Sequence, residues 1–247
     1  MTAPTAVRPA PTKSLRDADD AFLSYFIIRA HRDLVGHQGG TLLLTHAIEN
    51  AVEAHREQHR TDHRGVRQPY VLHPLRNTCR LLMFGVTDLD LLVASLFHDT
   101  VEDVPEALVA ALTGRYELAP VDALRAEYGD VVADTVARVT NPGEHARLPR
   151  VERNAAYLSH IIAEVLTAVR ALLVKVVDFL DNAGGLRLLM ATNLPMAKRL
   201  AAKYKPMVPL LDEALQNPAV TEFTPHAQLI RDEVRAVGAD LDFILAA

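Results

Sequence analysis

Cysteine is almost missing from this chain, with Cys79 the single example in 247 residues. One thiol excludes an internal disulfide framework and fits a reducing compartment. Long apolar runs are missing too. None reaches the roughly 20 residues that span a bilayer, and MTAPTAVRPAPTKS at the start lacks the apolar stretch of a secretory leader. A cytoplasmic protein with no membrane partner is therefore expected. Charge of one sign is not concentrated either: the net charge is -5, the pI is near 6.1, and no long basic stripe occurs. A nucleic-acid backbone is not the expected partner, and a small molecule is. No internal repeat is present. VKVVDFL, at 174–180, is rich enough in Val to pass for a buried strand, but neighbouring strand candidates are lacking. An all-α helical bundle is expected.

What is present suits that class. The chain is 49% hydrophobic with mean hydropathy near zero, enough to bury a core in one large domain or two small ones. Residues 1 to about 18, rich in Pro, Ala and Thr, read as a disordered tail or an arm that orders on a partner. Apolar spacing predicts a helix from Asp20 to near Gly36, a break at Gly39-Gly40, and a second helix in LLLTHAIENAVEAHREQ. His59 to Pro69 reads as turn-like. A helix over Tyr70 to Phe84 tolerates Pro74 only in its first turn, and Gly85 closes it. Asp88 is a cap for the helix entering His98. Shorter helices follow over about 106–113, 121–128 and 130–139, and then a polar loop from Asn141 to about Val151 that is either a pocket wall or plain solvent loop. Two long helices are expected over 153–169 and 170–181. Others begin at Pro195, Pro206 and Pro225, the last expected on the outside. These boundaries divide the chain into an N-terminal tail and extra helix (1–40), a central domain (41–195) and C-terminal helices packing on it (196–247).

The chemistry is densest at Phe97-His98-Asp99-Thr100-Val101-Glu102-Asp103, directly after the apolar run Leu91 to Leu96. Ionised groups there are costly to bury without a partner, and a metal ion is one such partner. If the helix runs on through Asp103, Glu102 and Asp103 lie one turn beyond His98 and Asp99. His73 in YVLHPL and Asp178 in VKVVDFLDN sit among apolar residues and look inward. With His98 and Asp99 they make two imidazoles and two carboxylates, a set suited to Mn²⁺, with Fe²⁺, Mg²⁺ and Zn²⁺ as alternatives. Singly, each has a plainer use: His73 as a bonded core histidine, and Asp178 as the structural partner of Lys175, Arg187 or Arg170. Glu102-Asp103 can be a solvated turn and Arg60 a surface charge.

In order, AHREQHR, PYVLHPL, LFHDTVED, EYGDVVADTVARVT and VKVVDFLDN resemble the HD superfamily of metal-dependent phosphohydrolases. Within it they resemble the hydrolase domain of Rel/Spo-type (p)ppGpp enzymes and their small stand-alone relatives, over about residues 42–190. That resemblance implies an all-α, HD-domain fold with an N-terminal extension, Mn²⁺ dependence, and removal of the 3'-pyrophosphate of guanosine tetra- or pentaphosphate. It implies His73, His98, Asp99 and Asp178 as metal ligands, Glu102 and Asp103 as the groups that position or activate water, and Arg60 and Asn182 as nucleotide contacts. Lys175, one turn from Asp178, reaches either phosphate or a structural partner. Two departures fall on the nucleotide side: Phe179 where the family has a basic residue, and Asp181 where it has an aromatic or His. Extra residues before PYVLHPL leave Arg64 or Arg67 able to replace Arg60. A nucleotide phosphatase or phosphodiesterase, and a nucleotide-binding protein without turnover, are the rival functions. Homo-oligomerisation is left open.

Overall fold

The computed structural model describes residues 14–36, 40–113 and 117–247. The break expected at Gly39 and the tail up to residue 13 lie outside them. Among the described residues the protein is helical except for one small hairpin.

Helix α1 (Asp20–Val35) starts where the Asp19 carboxylate accepts from the Phe22 N–H, and stops at Gly36, whose φ of 78° suits glycine. Then come α2 (Thr41–Ala54), strands β1 (His59–Thr61) and β2 (Arg67–Pro69), α3 (Leu72–Met83) and α4 (Leu89–Phe97). The stretch expected as turns is thus an antiparallel hairpin in which Arg60 faces Gln68. Its strands are three polar residues each, too short and too hydrophilic to show a strand period. Asp88 caps α4 by accepting from the Leu91 N–H. α5 (Thr100–Asp103), α6 (Pro105–Thr113), α7 (Pro120–Tyr128) and α8 (Asp130–Val139) follow, and then a 3-10 turn at Gly143–Arg147 in the expected loop.

The first long helix expected from 153 begins earlier, as α9 (Arg150–His160), and passes into a π-helical turn at Ile161–Val165 before α10 (Val169–Ala183). VKVVDFL is therefore helix. α10 is the axis of the molecule: Leu172, Val176 and Phe179 are buried, as are the charged Lys175, Asp178 and Asp181. It packs against α3, α4 and α8. α11 (Leu186–Tyr204) is kinked at Asn193 (φ -154°, ψ 74°), and the Asn193 side chain accepts from the Met196 N–H, so a fresh helical segment starts around Pro195. α12 (Met207–Ala214) and α13 (Ala227–Ala246) complete the chain.

α13 lies on the outside as expected, its Ile230, Val234, Leu241 and Ile244 buried against α10, α11 and α12 and its other face exposed. One expectation changes. The fold begins before Asp20: Leu15 and Ala18 are buried, and Arg16 donates to the Asp181 carbonyl at 3.2 Å. Two apolar residues among charged ones carry no period, so nothing in the local pattern announced them. No helix among the described residues is long and apolar enough to cross a membrane.

Candidate metal centre

α4 ends at Phe97, and α5 begins only at Thr100. The continuous helix on which the stripe geometry depended is therefore not formed. The Thr100 hydroxyl donates back to the Phe97 carbonyl at 2.7 Å, and Asp99 takes φ -116°, ψ -2°, which turns the chain between the two helices. The turn aims His98 and Asp99 inward and leaves Glu102 and Asp103 at the surface.

His98 stands at the end of α4 with its Nδ1 3.0 Å from the Ser95 carbonyl. A carbonyl only accepts, so Nδ1 holds the proton and Nε2 presents its lone pair inward. His73, in the first turn of α3, has Nδ1 2.7 Å from Asp181 Oδ2. That carboxyl is held well below the ordinary carboxylate range: burial alone would raise it, but the Arg80 and Arg76 guanidiniums and the His73 hydrogen bond outweigh burial. Facing an ionised acceptor, His73 also protonates Nδ1 and aims Nε2 into the same space.

Asp178 comes to that space from α10. Its Oδ1 lies 3.1 Å from His73 Nε2 and 3.6 Å from His98 Nε2, and its Oδ2 accepts from Lys175 Nζ at 2.9 Å. Asp99 Oδ2 is 3.6 Å from His98 Nε2. One ligand atom each from His73, His98 and Asp99 lies within 4.8 Å of the others. Among the described residues, both Asp99 oxygens are buried without a well-formed hydrogen bond. Two imidazole lone pairs and the Asp99 carboxylate thus face one another, and Asp178 Oδ1 stands against both imidazoles without belonging to the group within 4.8 Å, an arrangement that is repulsive until a positive charge sits among them. A proton serves in part: burial lowers the His98 pKa, yet Asp99 and Asp178 more than reverse this and lift it to about 9. Mixed nitrogen and oxygen donors at this separation fit a divalent ion better.

The outer residues occupy distinct places. Glu102 accepts from the Asn141 side chain at 2.8 Å, and Asp103 from Gln58 at 2.9 Å, so both carboxylates are exposed and steadied by amides. Asn182 donates to Asp178 Oδ1 at 2.5 Å, and its carbonyl accepts from Arg60 at 3.4 Å. Of the three candidate arginines, Arg60 reaches the centre, while Arg64 pairs with Asp62 and Arg67 with His59. Lys175 is buried on Asp178, the structural pairing that its position allowed. Phe179 is buried against Tyr204.

Several participants were missed in the sequence. His55 is fully buried, with Nε2 3.4 Å from Asp99 Oδ1. It continues the Leu44, Ile48, Ala51 stripe of α2, and that register was the available signal. Asp181, noticed only as a departure, takes two hydrogen bonds from Arg76 at 2.9 Å each and one from Arg80 at 2.8 Å. Two arginines one turn apart behind His73 on a buried helix were the clue.

Against this geometry stands the comparison with known proteins. The chain is 33% identical over 146 residues, 58% of its length, to a protein of Mycobacterium leprae (strain TN) named "Probable GTP pyrophosphokinase". The chain is similar to a GTP pyrophosphokinase. It spans 16% of the length of that curated relative. No protein-family model matches the chain.

Proposed function

We propose that this protein is a metal-dependent pyrophosphohydrolase acting on a guanosine polyphosphate of the (p)ppGpp kind. The approach of His73, His98 and Asp99 to within 4.8 Å of one another, with both imidazole Nε2 atoms turned inward and Asp178 Oδ1 against them, carries the proposal. These four residues would hold Mn²⁺ or a similar divalent ion. Such an ion, when bound, supplies a water of lowered pKa and a hold on a phosphate oxygen.

The rest is work for the chain's own residues. One of Glu102 and Asp103 takes the proton of the attacking water and the other helps position that water, both being exposed carboxylates free of ion pairs among the described residues. Arg60 offers its fork of donors to phosphate, and Asn182, joined to both Arg60 and Asp178, aligns the ribose side of the nucleotide with the centre. Lys175 holds Asp178 Oδ2, leaving Oδ1 directed at the histidines. Similarity to a GTP pyrophosphokinase supports a guanine nucleotide. Hydrolysis is favoured over pyrophosphoryl transfer because the clustered groups are those that position a water.

The test is incubation of the full chain with Mn²⁺ and a nucleotide panel. Pyrophosphate released from guanosine tetraphosphate supports the proposal. Inorganic phosphate from other nucleotides instead points to a nucleotide phosphatase, and pyrophosphoryl transfer from ATP to GTP overturns hydrolysis.

A further inference from the structure

Lys203, in the second half of α11, is half-buried, with its Nζ 5.1 Å from the centre of the Tyr157 ring and 5.2 Å from that of Tyr204. Tyr157, on α9, is already shared: Lys175 Nζ, from α10, stands 5.2 Å from the same ring. An aromatic face steadies one cation, but two cations at one ring repel each other. Of the pair, Lys175 has a carboxylate, with Asp178 Oδ2 at 2.9 Å. Lys203 has none within ion-pair distance among the described residues, unlike Lys205, which pairs with Asp242. Its other neighbours are mostly cations. Arg199 lies one turn back on α11, and Arg150 and Arg153 come from the first turn of α9; together with Lys203 they line a groove of about 660 Å³. The groove shares Arg153, Asn154 and Lys203 with a pocket of about 290 Å³ that also contains Glu102. Asp178 and Glu102 favour the charged form of Lys203, yet burial, with the Lys175 charge next, outweighs them and holds the amine below the usual lysine range.

Desolvation and neighbouring cations are the conditions that make a lysine amine nucleophilic near neutral pH. We propose that Lys203 is a modification site, acylated by small acyl phosphates. The cavity beside it admits a short acyl group, and Arg153 and Arg199 offer guanidiniums to the phosphate. The Nζ lone pair attacks the acyl carbon, and the bond from that carbon to the phosphate oxygen breaks. Inorganic phosphate departs with the bonding electrons and with the proton that the nitrogen gives up. The product is an uncharged amide. One cation is thereby lost from between the two tyrosines and from the wall of the pocket that holds Glu102. This chemistry is independent of the proposed hydrolysis.

The experiment is acetylation of the full chain by acetyl phosphate at about pH 7.5, with each lysine followed by peptide mass spectrometry. An uncharged acetyl ester is run alongside. Two lysines of the same stretch are internal references: Lys198, which lines neither cavity, and the ion-paired Lys205. Lys203 should react about tenfold faster than either with both reagents. With the ester in guanidinium chloride, where the chain is unfolded, that lead should vanish. Lys203 reacting no faster than Lys198 in the folded chain, or keeping its lead when unfolded, overturns the site. Added salt should slow the reaction with acetyl phosphate more than that with the ester, because it screens the arginines from the phosphate. Changing Arg153→Gln and Arg199→Gln together should slow acetyl phosphate about tenfold and the ester by less. A lead with the ester alone, or equal slowing of both reagents in the double variant, overturns the acyl-phosphate assignment.

Discussion

Replacing Asp181 by Asn removes one negative charge from a site where the carboxylate is fully buried and is met by His73, Arg76 and Arg80. Arg76 is itself almost wholly buried and cannot turn to water. Deleting one partner of a buried ion pair costs about 3–5 kcal/mol, because the remaining charge stays desolvated. For a chain of this size that is a fall in melting temperature of roughly 6–20 °C. The loss has a pH signature. Folding lowers the Asp181 pKa below its ordinary value of 3.8. Its stabilisation is therefore complete above that value and is lost as the pH falls below it toward the folded-state pKa. The stability difference between wild type and Asp181→Asn, from urea unfolding, should be flat from about pH 5 to pH 8 and shrink below about pH 4. His73 also loses its ionised acceptor, so affinity for Mn²⁺ should drop about 10- to 100-fold. A stability loss under about 1 kcal/mol, or a difference that grows as the pH falls, would refute the reasoning.

Further outcomes can be stated briefly. Glu102→Gln and Asp103→Asn should each leave metal content and melting temperature unchanged, and the one that serves as the base should lower kcat by about 10²–10⁴; full activity in both removes them from the chemistry. Lys175→Met strands Asp178 Oδ2 without its cation and should cost roughly 3 kcal/mol in urea unfolding, whereas a neutral result would mean that the ammonium contributes nothing there. Gly85 has φ of 77°, and a Cβ on it would stand 3.2 Å from Pro225 Cδ at the approach to α13. Gly85→Ala should therefore lose about 1–2 kcal/mol, measurable by thermal melting, and an unchanged melting temperature would contradict that backbone demand.

What the sequence disclosed was what physics makes local. The Asp88 cap, Pro74 in a first turn and the stop near Gly85 each depend on a few adjacent residues. VKVVDFL was readable as helix only because no other strand was available to pair with it. What stayed hidden depends on contacts between distant parts of the chain. Asp181 meets Arg76 and Arg80 across about a hundred residues, so its single-residue departure from the family pattern could not be seen as the centre of a charge cluster. His55 carries no mark beyond its place on an apolar stripe. The turn at His98-Asp99 is set by the Thr100 hydroxyl, and a helical period assumed to continue was the wrong guide there. The hairpin around Arg60 is polar throughout, yet its pairing holds Arg60 within reach of Asn182.

The proposed function depends on one cation bound among His73, His98, Asp99 and Asp178. Elemental analysis after Mn²⁺ loading and dialysis, on wild type and on His98→Ala, tests that most directly. A single ion per chain in wild type and none in a folded His98→Ala is the predicted result. Stoichiometric Mn²⁺ retained by His98→Ala would contradict the account.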